Sequence, residues 1–265
     1  MRQPDSSSVE RESLPIHREK PCRAFELDAL RGLALLMMVL HHLIFDLRYL
    51  LELPVFAFQE SAWFINLLRP LFLCVFLVVS GICSTFSRNN FKRGLRVGAA
   101  ALGFTAATTI ASLLTNLDLY IFFNVLHLLA LGTLLYAWIT RRDRGRGTDV
   151  LLVILTAVTI WVGTILPTEP VNTFLLLPFG MLPATYPGMS DYLPIFPWLG
   201  FFMAGALIGR LQYSDRCTAF PHAPQGLLRA AQPLAFLGRH SLGIYALHQP
   251  VLLAVLYGLR ALGAF

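Results

Sequence analysis

Residues Leu30–Leu51 read LRGLALLMMVLHHLIFDLRYLL, 22 residues with few charges. A hydrocarbon core of about 30 Å takes about 20 helical residues at 1.5 Å each, so this run is long enough to cross a bilayer. It is too long for the apolar region of a signal peptide, holds two histidines, and has no small-x-small cleavage site after it. It is read as the first membrane helix. By the same rule, further spans are expected at roughly 66–86, 95–115, 119–140, 148–166, 194–211 and 236–258. The stretch Phe174 to Leu182 is short and broken by Pro178 and Pro183, which suits a re-entrant or interfacial segment, and Pro187-Gly188 marks a turn. The expected fold is all-α: a polytopic helical bundle of about seven transmembrane helices, occupying 24–260 as one domain behind a polar tail at 1–23.

Composition agrees. Of 265 residues, 56% are hydrophobic and only 14% are charged, with a mean hydropathy of +0.63. A soluble domain carries about 25% charged residues, so much of this surface must face lipid. The net charge of +6 therefore argues for membrane orientation, and no nucleic-acid partner is expected. Arg2, Arg11, Arg18, Lys20 and Arg23 precede the first span; Arg88, Lys92, Arg93 and Arg96 join the second to the third. Arg141, Arg142, Arg144 and Arg146 join the fourth to the fifth; Arg210, Arg216 and Arg229 join the sixth to the seventh. The other connections carry Glu52, Glu60, Asp118, Glu169 and Asp191, with Arg48 and Arg69 as exceptions. This alternation places the N-terminus in the cytoplasm and the C-terminus outside, in the cell inner (plasma) membrane. Cys22, Cys74, Cys83 and Cys217 have no metal-ligand spacing, and no disulfide is expected.

Ionisable residues within spans are costly and mark functional candidates. Arg31 and His42 stand eleven residues apart, close to three helical turns, so they share a face and lie about 16 Å apart along the axis. Asp46 is one turn beyond His42 and is placed to accept a hydrogen bond from its imidazole, leaving the other nitrogen free as a base. His41 points about 100° away. Asn124 and His127 lie one turn apart in the fourth span. The seventh opens with Gly238-Arg239-His240-Ser241 and then carries Tyr245, His248 and Gln249. No His-x-x-x-His or His-Glu-x-x-His pattern occurs, so no metal is expected. Each residue also has an ordinary reading. Arg31 can snorkel to headgroups, His127 and His248 can fix helix packing, Asp28 can face a helix dipole, and Asp191 can cap the sixth span. Gly98, Gly103, Thr105, Thr108 and Thr109 on the third span form a small-residue face suited to close packing or to a homodimer seam. On these residues alone, an enzyme, a proton-coupled transporter and a structural membrane subunit all remain open. The lack of an inverted repeat weighs against the transporter.

A resemblance separates them. Glu26–Gly32 (ELDALRG) followed by His41–Leu47 (HHLIFDL) resembles the opening of the heparan-alpha-glucosaminide N-acetyltransferase catalytic-domain family. Ser80–Ser84 with Arg93-Gly94, Phe122–His127 (FFNVLH), SDYLPIFPWLG at 190–200 and Phe236–Leu252 (FLGRHSLGIYALHQPVL) are similar to it in the same order, over about 24–258. The resemblance implies a transmembrane acetyl transfer from cytoplasmic acetyl-CoA, as co-substrate, to an amine or hydroxyl of a sugar on the outer side. The Arg31-to-His42 spacing also resembles a pattern of the wider membrane acyltransferases, where the histidine is the presumed base and the arginine serves the acyl donor. On that basis His42, Asp46 and His127 are the expected catalytic residues. Arg31, Arg239 and His240 are expected to hold the CoA moiety, and Asn124, Asp191, Tyr245 and His248 the oxyanion or the acceptor. In the animal lysosomal branch the position of His42 is an asparagine, and a histidine in the following loop acts; here no histidine lies between His42 and His127. Read as a whole chain, it would also lack their large lumenal N-terminal domain. The expected acceptor is therefore a bacterial cell-envelope glycan or amino sugar rather than heparan.

Overall fold

The computed structural model describes residues 24–115, 120–143, 145–167, 169–185, 189 and 191–263. The tail 1–23 and Asp118, Arg144, Pro187 and Gly188 lie outside them. The described chain is helical: α1 Phe25–Phe45, α2 Arg69–Thr85, α3 Asn90–Thr115, α4 Val125–Ile139, α5 Arg146–Ile165, α6 Trp198–Gln212, α7 Gln225–Arg239 and α8 Ser241–Ala261. Two π-helical turns, Asp46–Leu50 and Phe64–Leu68, extend α1 and precede α2. Among the described residues there is no strand, only an isolated bridge between Val171 and Pro183. The 174–182 stretch forms a 3-10 turn, Phe174–Phe179, whose first turn is capped by Thr173.

Five helices are long and apolar enough to cross a membrane: Phe25–Leu50, Phe64–Thr85, Asn90–Thr115, Arg146–Ile165 and Ser241–Ala261. Of the seven expected spans, the remaining two correspond to α4 and α6, each 15 residues, about 22 Å at 1.5 Å per residue. These two form the centre. Leu126, Leu128, Thr133 and Tyr136 of α4 and Phe202, Met203 and Ala206 of α6 are buried, whereas α3, α5 and α8 expose Leu102, Leu113, Ile154, Trp161 and Val251. An apolar exterior around a packed interior is what lipid solvates.

Between membrane helices apolar attraction gives little advantage over lipid, so close contact depends on small residues. α2 and α6 meet where a Cβ on Gly205 would lie 2.0 Å from the Val78 carbonyl oxygen, and one on Gly81 2.0 Å from that of Phe202. α1 and α7 meet as tightly, with a Cβ on Gly32 at 1.8 Å from the Leu234 oxygen and one on Gly238 at 1.9 Å from that of Asp28. The small residues of α3 are used inside the chain in part. Gly94 receives Leu134, Gly98 faces Ala130 at 3.6 Å, and Gly103 faces open space.

The sequence reading merges two elements that the structure separates. In place of one span at 236–258, α7 ends at Arg239 and α8 starts at Ser241. His240 closes α7, its Nδ1 standing 2.9 Å from the Phe236 carbonyl oxygen. α7 itself is an amphipathic helix with no expected counterpart. Its Leu228–Ala231–Ala235–Gly238 side is the more covered one, while Arg229 and Gln232 are exposed. The loop before α7 is tied to α1: the buried Glu26 carboxylate accepts hydrogen bonds from Thr218 Oγ1 at 2.7 Å and Ala219 N at 2.8 Å. At the same end Arg210 joins α6 to α5, donating to Asp149 at 2.5 Å and to Asp143 at 2.7 Å.

Candidate active site

Two cavities lie end to end along α1. The first, about 260 Å³, is lined by Arg31, Arg93, Arg96 and Arg239 with Ser80, Ser241 and Leu242. The second, about 70 Å³, is lined by His41, His42, Arg69, Asp191 and Tyr192 on an otherwise apolar wall that includes Leu35, Met38 and Leu73. Phe76 and Tyr245 line both, so the two cavities adjoin at these side chains.

The arginine cavity gathers four guanidiniums from α1, α3 and the end of α7. Arg93 donates from Nη1 to the Cys83 carbonyl at 3.1 Å, while Arg31 Nη2 is buried with no partner. Like charges facing one hollow, with a buried donor unpaired, are costly unless an anion enters. The break at His240 adds a second attraction. It turns the start of α8, at Ser241 and Leu242, onto this cavity, and no side chain caps that end. Free N–H groups at a helix start favour anions. Arg31 and Arg239, both expected from sequence to hold the CoA moiety, line this one cavity. His240 caps α7 and lines the neighbouring apolar groove instead. Arg93 and Arg96, read from sequence as loop charges, belong to α3 and were missed; their one-turn spacing at a helix start was the available signal.

The histidine chamber is built from α1, α8 and two connections. His42 packs between His41 and His248, with ring centroids 5.7 and 5.0 Å away. His248 Nδ1 lies 2.6 Å from the Tyr245 carbonyl oxygen, and its Nε2 is buried without a partner. The polar wall comes from the connection before α6. The Leu193 N–H donates to the Phe123 carbonyl at 3.4 Å, which sets Asp191 beside Asn124 and Tyr245. The Tyr245 hydroxyl donates to Asp191 Oδ2. Asn124 Nδ2 donates to the Tyr245 hydroxyl at 3.2 Å and stands 3.5 Å from Asp191 Oδ2. Burial pushes the Asp191 carboxyl up to about 6, against the opposing pull of these hydrogen bonds and of Arg69.

Two expected residues stand outside this arrangement. Asp46 makes no hydrogen bond to His42; both its oxygens accept from Gln249 Nε2, at 3.0 Å each, which fastens α1 to α8. His127 does not line the chamber. Its Nδ1 is 2.9 Å from Asn124 Oδ1 and its Nε2 3.3 Å from Thr105 Oγ1, so both nitrogens serve the α4 capping box and the α3–α4 contact. Sequence reasoning missed His41, Arg69 and Gln59, which approaches His41 at 2.7 Å. Among the described residues no group of three or more His, Cys, Asp or Glu side chains could hold a metal ion, and Cys74 and Cys83 are in no disulfide.

Such a molecule is a polytopic helical membrane protein with an anion-attracting cavity adjoining a histidine chamber. The family model described as heparan-alpha-glucosaminide N-acetyltransferase, catalytic, matches residues 23–250, and the chain belongs to that family. Membership suggests a transmembrane acetyltransferase. No curated protein matches the chain, and no solved structure does.

Proposed function

We propose that the protein transfers an acetyl group from acetyl-CoA, held on the cytoplasmic side, to an amine or hydroxyl of a sugar or cell-envelope glycan entering from the outer side of the plasma membrane. The observation that carries this is the adjoining of the two cavities at Phe76 and Tyr245. An anionic donor and a polar acceptor can meet there without either crossing the bilayer.

The donor set of the first cavity suits CoA. Guanidiniums pair well with phosphate oxygens, and Arg31 Nη2 is a buried donor in need of one. The α8 N-terminus supplies backbone N–H groups beside them. The thioester would then lie near Tyr245. His42, lining the chamber with no hydrogen bond of its own to another described side chain, is the base. It takes the proton of the acceptor as the nucleophile attacks the acetyl carbonyl carbon, and returns it to the sulfur as the C–S bond breaks. Asp191, Tyr245 and Asn124 form a hydrogen-bonded wall that positions the acceptor, with His248 behind His42. Asp46 and His127 keep a supporting role, fixing the α1–α8 and α3–α4 contacts.

The test is turnover of acetyl-CoA by the purified protein with a panel of amino sugars, beside a His42→Ala variant. Saturable acetylation lost in that variant is the expected result. Folded wild-type protein that neither binds nor consumes acetyl-CoA would overturn the proposal.

A further inference from the structure

The two imidazoles packed against His42 are held as opposite tautomers by their hydrogen-bond partners. Gln59, buried on the 3-10 turn Ala57–Glu60, brings Nε2 to 2.7 Å from His41 Nδ1 and 3.2 Å from the His41 carbonyl oxygen. A carbonyl oxygen only accepts, so the amide atom facing it is the nitrogen. Its second hydrogen then points to Nδ1, which must carry the lone pair. The proton of neutral His41 is on Nε2. His248 is the reverse: its Nδ1 faces the Tyr245 carbonyl oxygen at 2.6 Å, so the proton is on Nδ1 and the lone pair on Nε2. Gln59 Oε1 is itself buried without a partner. A side chain kept only for packing gains nothing from that unpaired oxygen.

We propose that Gln59 is a positioning residue that holds His41 as an Nε2–H donor, and that this donor serves the acyl carbonyl oxygen in the chamber as negative charge develops on it. His248 offers the opposite character, an acceptor. The electrophilic donor is thereby fixed on a ring other than the base His42 before any substrate arrives. This rests on the acetyltransferase reading, but the tautomer half does not.

The experiment has two arms. In the first, the full-length protein with 15N-labelled histidine is placed in nanodiscs at pH 8. Two-bond 1H–15N correlation spectra then read each tautomer, with His41→Gln and His248→Gln identifying the signals. The expected spectrum has His41 protonated on Nε2 and His248 on Nδ1. Gln59→Glu is close in shape, yet its carboxylate can only accept, so His41 switches to Nδ1–H. In the second arm, Gln59→Glu lowers kcat about 100-fold, the cost of losing one oxyanion donor, while acetyl-CoA affinity stays within about twofold. His41→Gln, which keeps an N–H donor, retains more activity than His41→Ala. Wild-type His41 protonated on Nδ1, or Gln59→Glu with wild-type kcat, overturns the proposal. So does a loss of kcat without a tautomer switch, because the role is then structural. If the wild type transfers no acetyl group, the catalytic half falls with the function it rests on, and the spectra alone decide whether Gln59 sets His41.

Discussion

The arginine cavity and the histidine chamber lie against each other and are built on different principles. In the first, four arginines line one hollow, and among the described residues only Arg93 of the four has a hydrogen bond to a neighbouring carbonyl. Arg96 and Arg239 are exposed. Attraction for an anion there is shared among several charges, weighted by their burial, and tolerates movement of any one. In the second, the polar groups around His42 are fixed by specific neighbours: His248 by a backbone carbonyl, His41 by Gln59, Asp191 by Tyr245 and Asn124. Function there depends on geometry. Loss of one group should therefore be graded at the first site and steep at the second.

The steepest case is His42→Ala. Removing a general base costs roughly 10²–10⁴ in rate, and the variant should lose at least the lower figure in kcat while acetyl-CoA binding by calorimetry stays within about threefold. Comparable losses in binding would mean that the two cavities are not separable. Next is Asp191, which lies in the connection before α6. Its folded pKa of about 6 exceeds the ordinary 3.8. The neutral form therefore favours folding, a contribution complete below pH 3.8 and lost as pH rises through 6. That difference corresponds to about 3 kcal/mol. Asp191→Asn should melt higher than wild type at pH 7.5, with the gain vanishing near pH 4; a gain that is flat with pH would refute the buried-carboxyl account.

At the arginine cavity the effects are smaller. Arg31→Ala removes a half-buried guanidinium whose Nη2 has no partner and should weaken acetyl-CoA binding about 10- to 100-fold, the equivalent of one charge-assisted hydrogen bond, with kcat at saturating donor little changed. Arg96→Ala removes an exposed charge and should cost only a few-fold, fading as added salt screens it. If the exposed and half-buried arginines were equivalent, summed charge alone would describe the cavity.

Much of this architecture is legible in the amino-acid sequence. The run at 30–51 marks a membrane helix by its length, and the eleven-residue spacing places Arg31 and His42 on one face at two depths, where the two cavities lie. The motif SDYLPIFPWLG points to Asp191. What stays hidden is tertiary. The stop at His240 is set by a side-chain bond to Phe236 and by the fit of Gly238 on α1, neither of which leaves a periodic trace. Gln59 lies in a connection of ordinary composition and matters only because the chain folds back over His41. The i+4 spacing suggests an Asp46–His42 bond, but Gln249, about 200 residues away in sequence, takes the carboxylate instead. Asn124 and His127 look like chamber residues on spacing alone; the first supports the chamber wall through Tyr245 and Asp191, while the second is occupied in capping α4.

The central claim is that donor and acceptor occupy adjoining but separable cavities. The most direct measurement is acetyl-CoA affinity and acetyl-transfer rate on the same preparations of wild type, Arg31→Ala and His42→Ala. Affinity lost only in the first variant, and the rate at saturating donor lost only in the second, is the predicted result. Both quantities falling together in each variant, or wild-type protein with no affinity for acetyl-CoA, would contradict it.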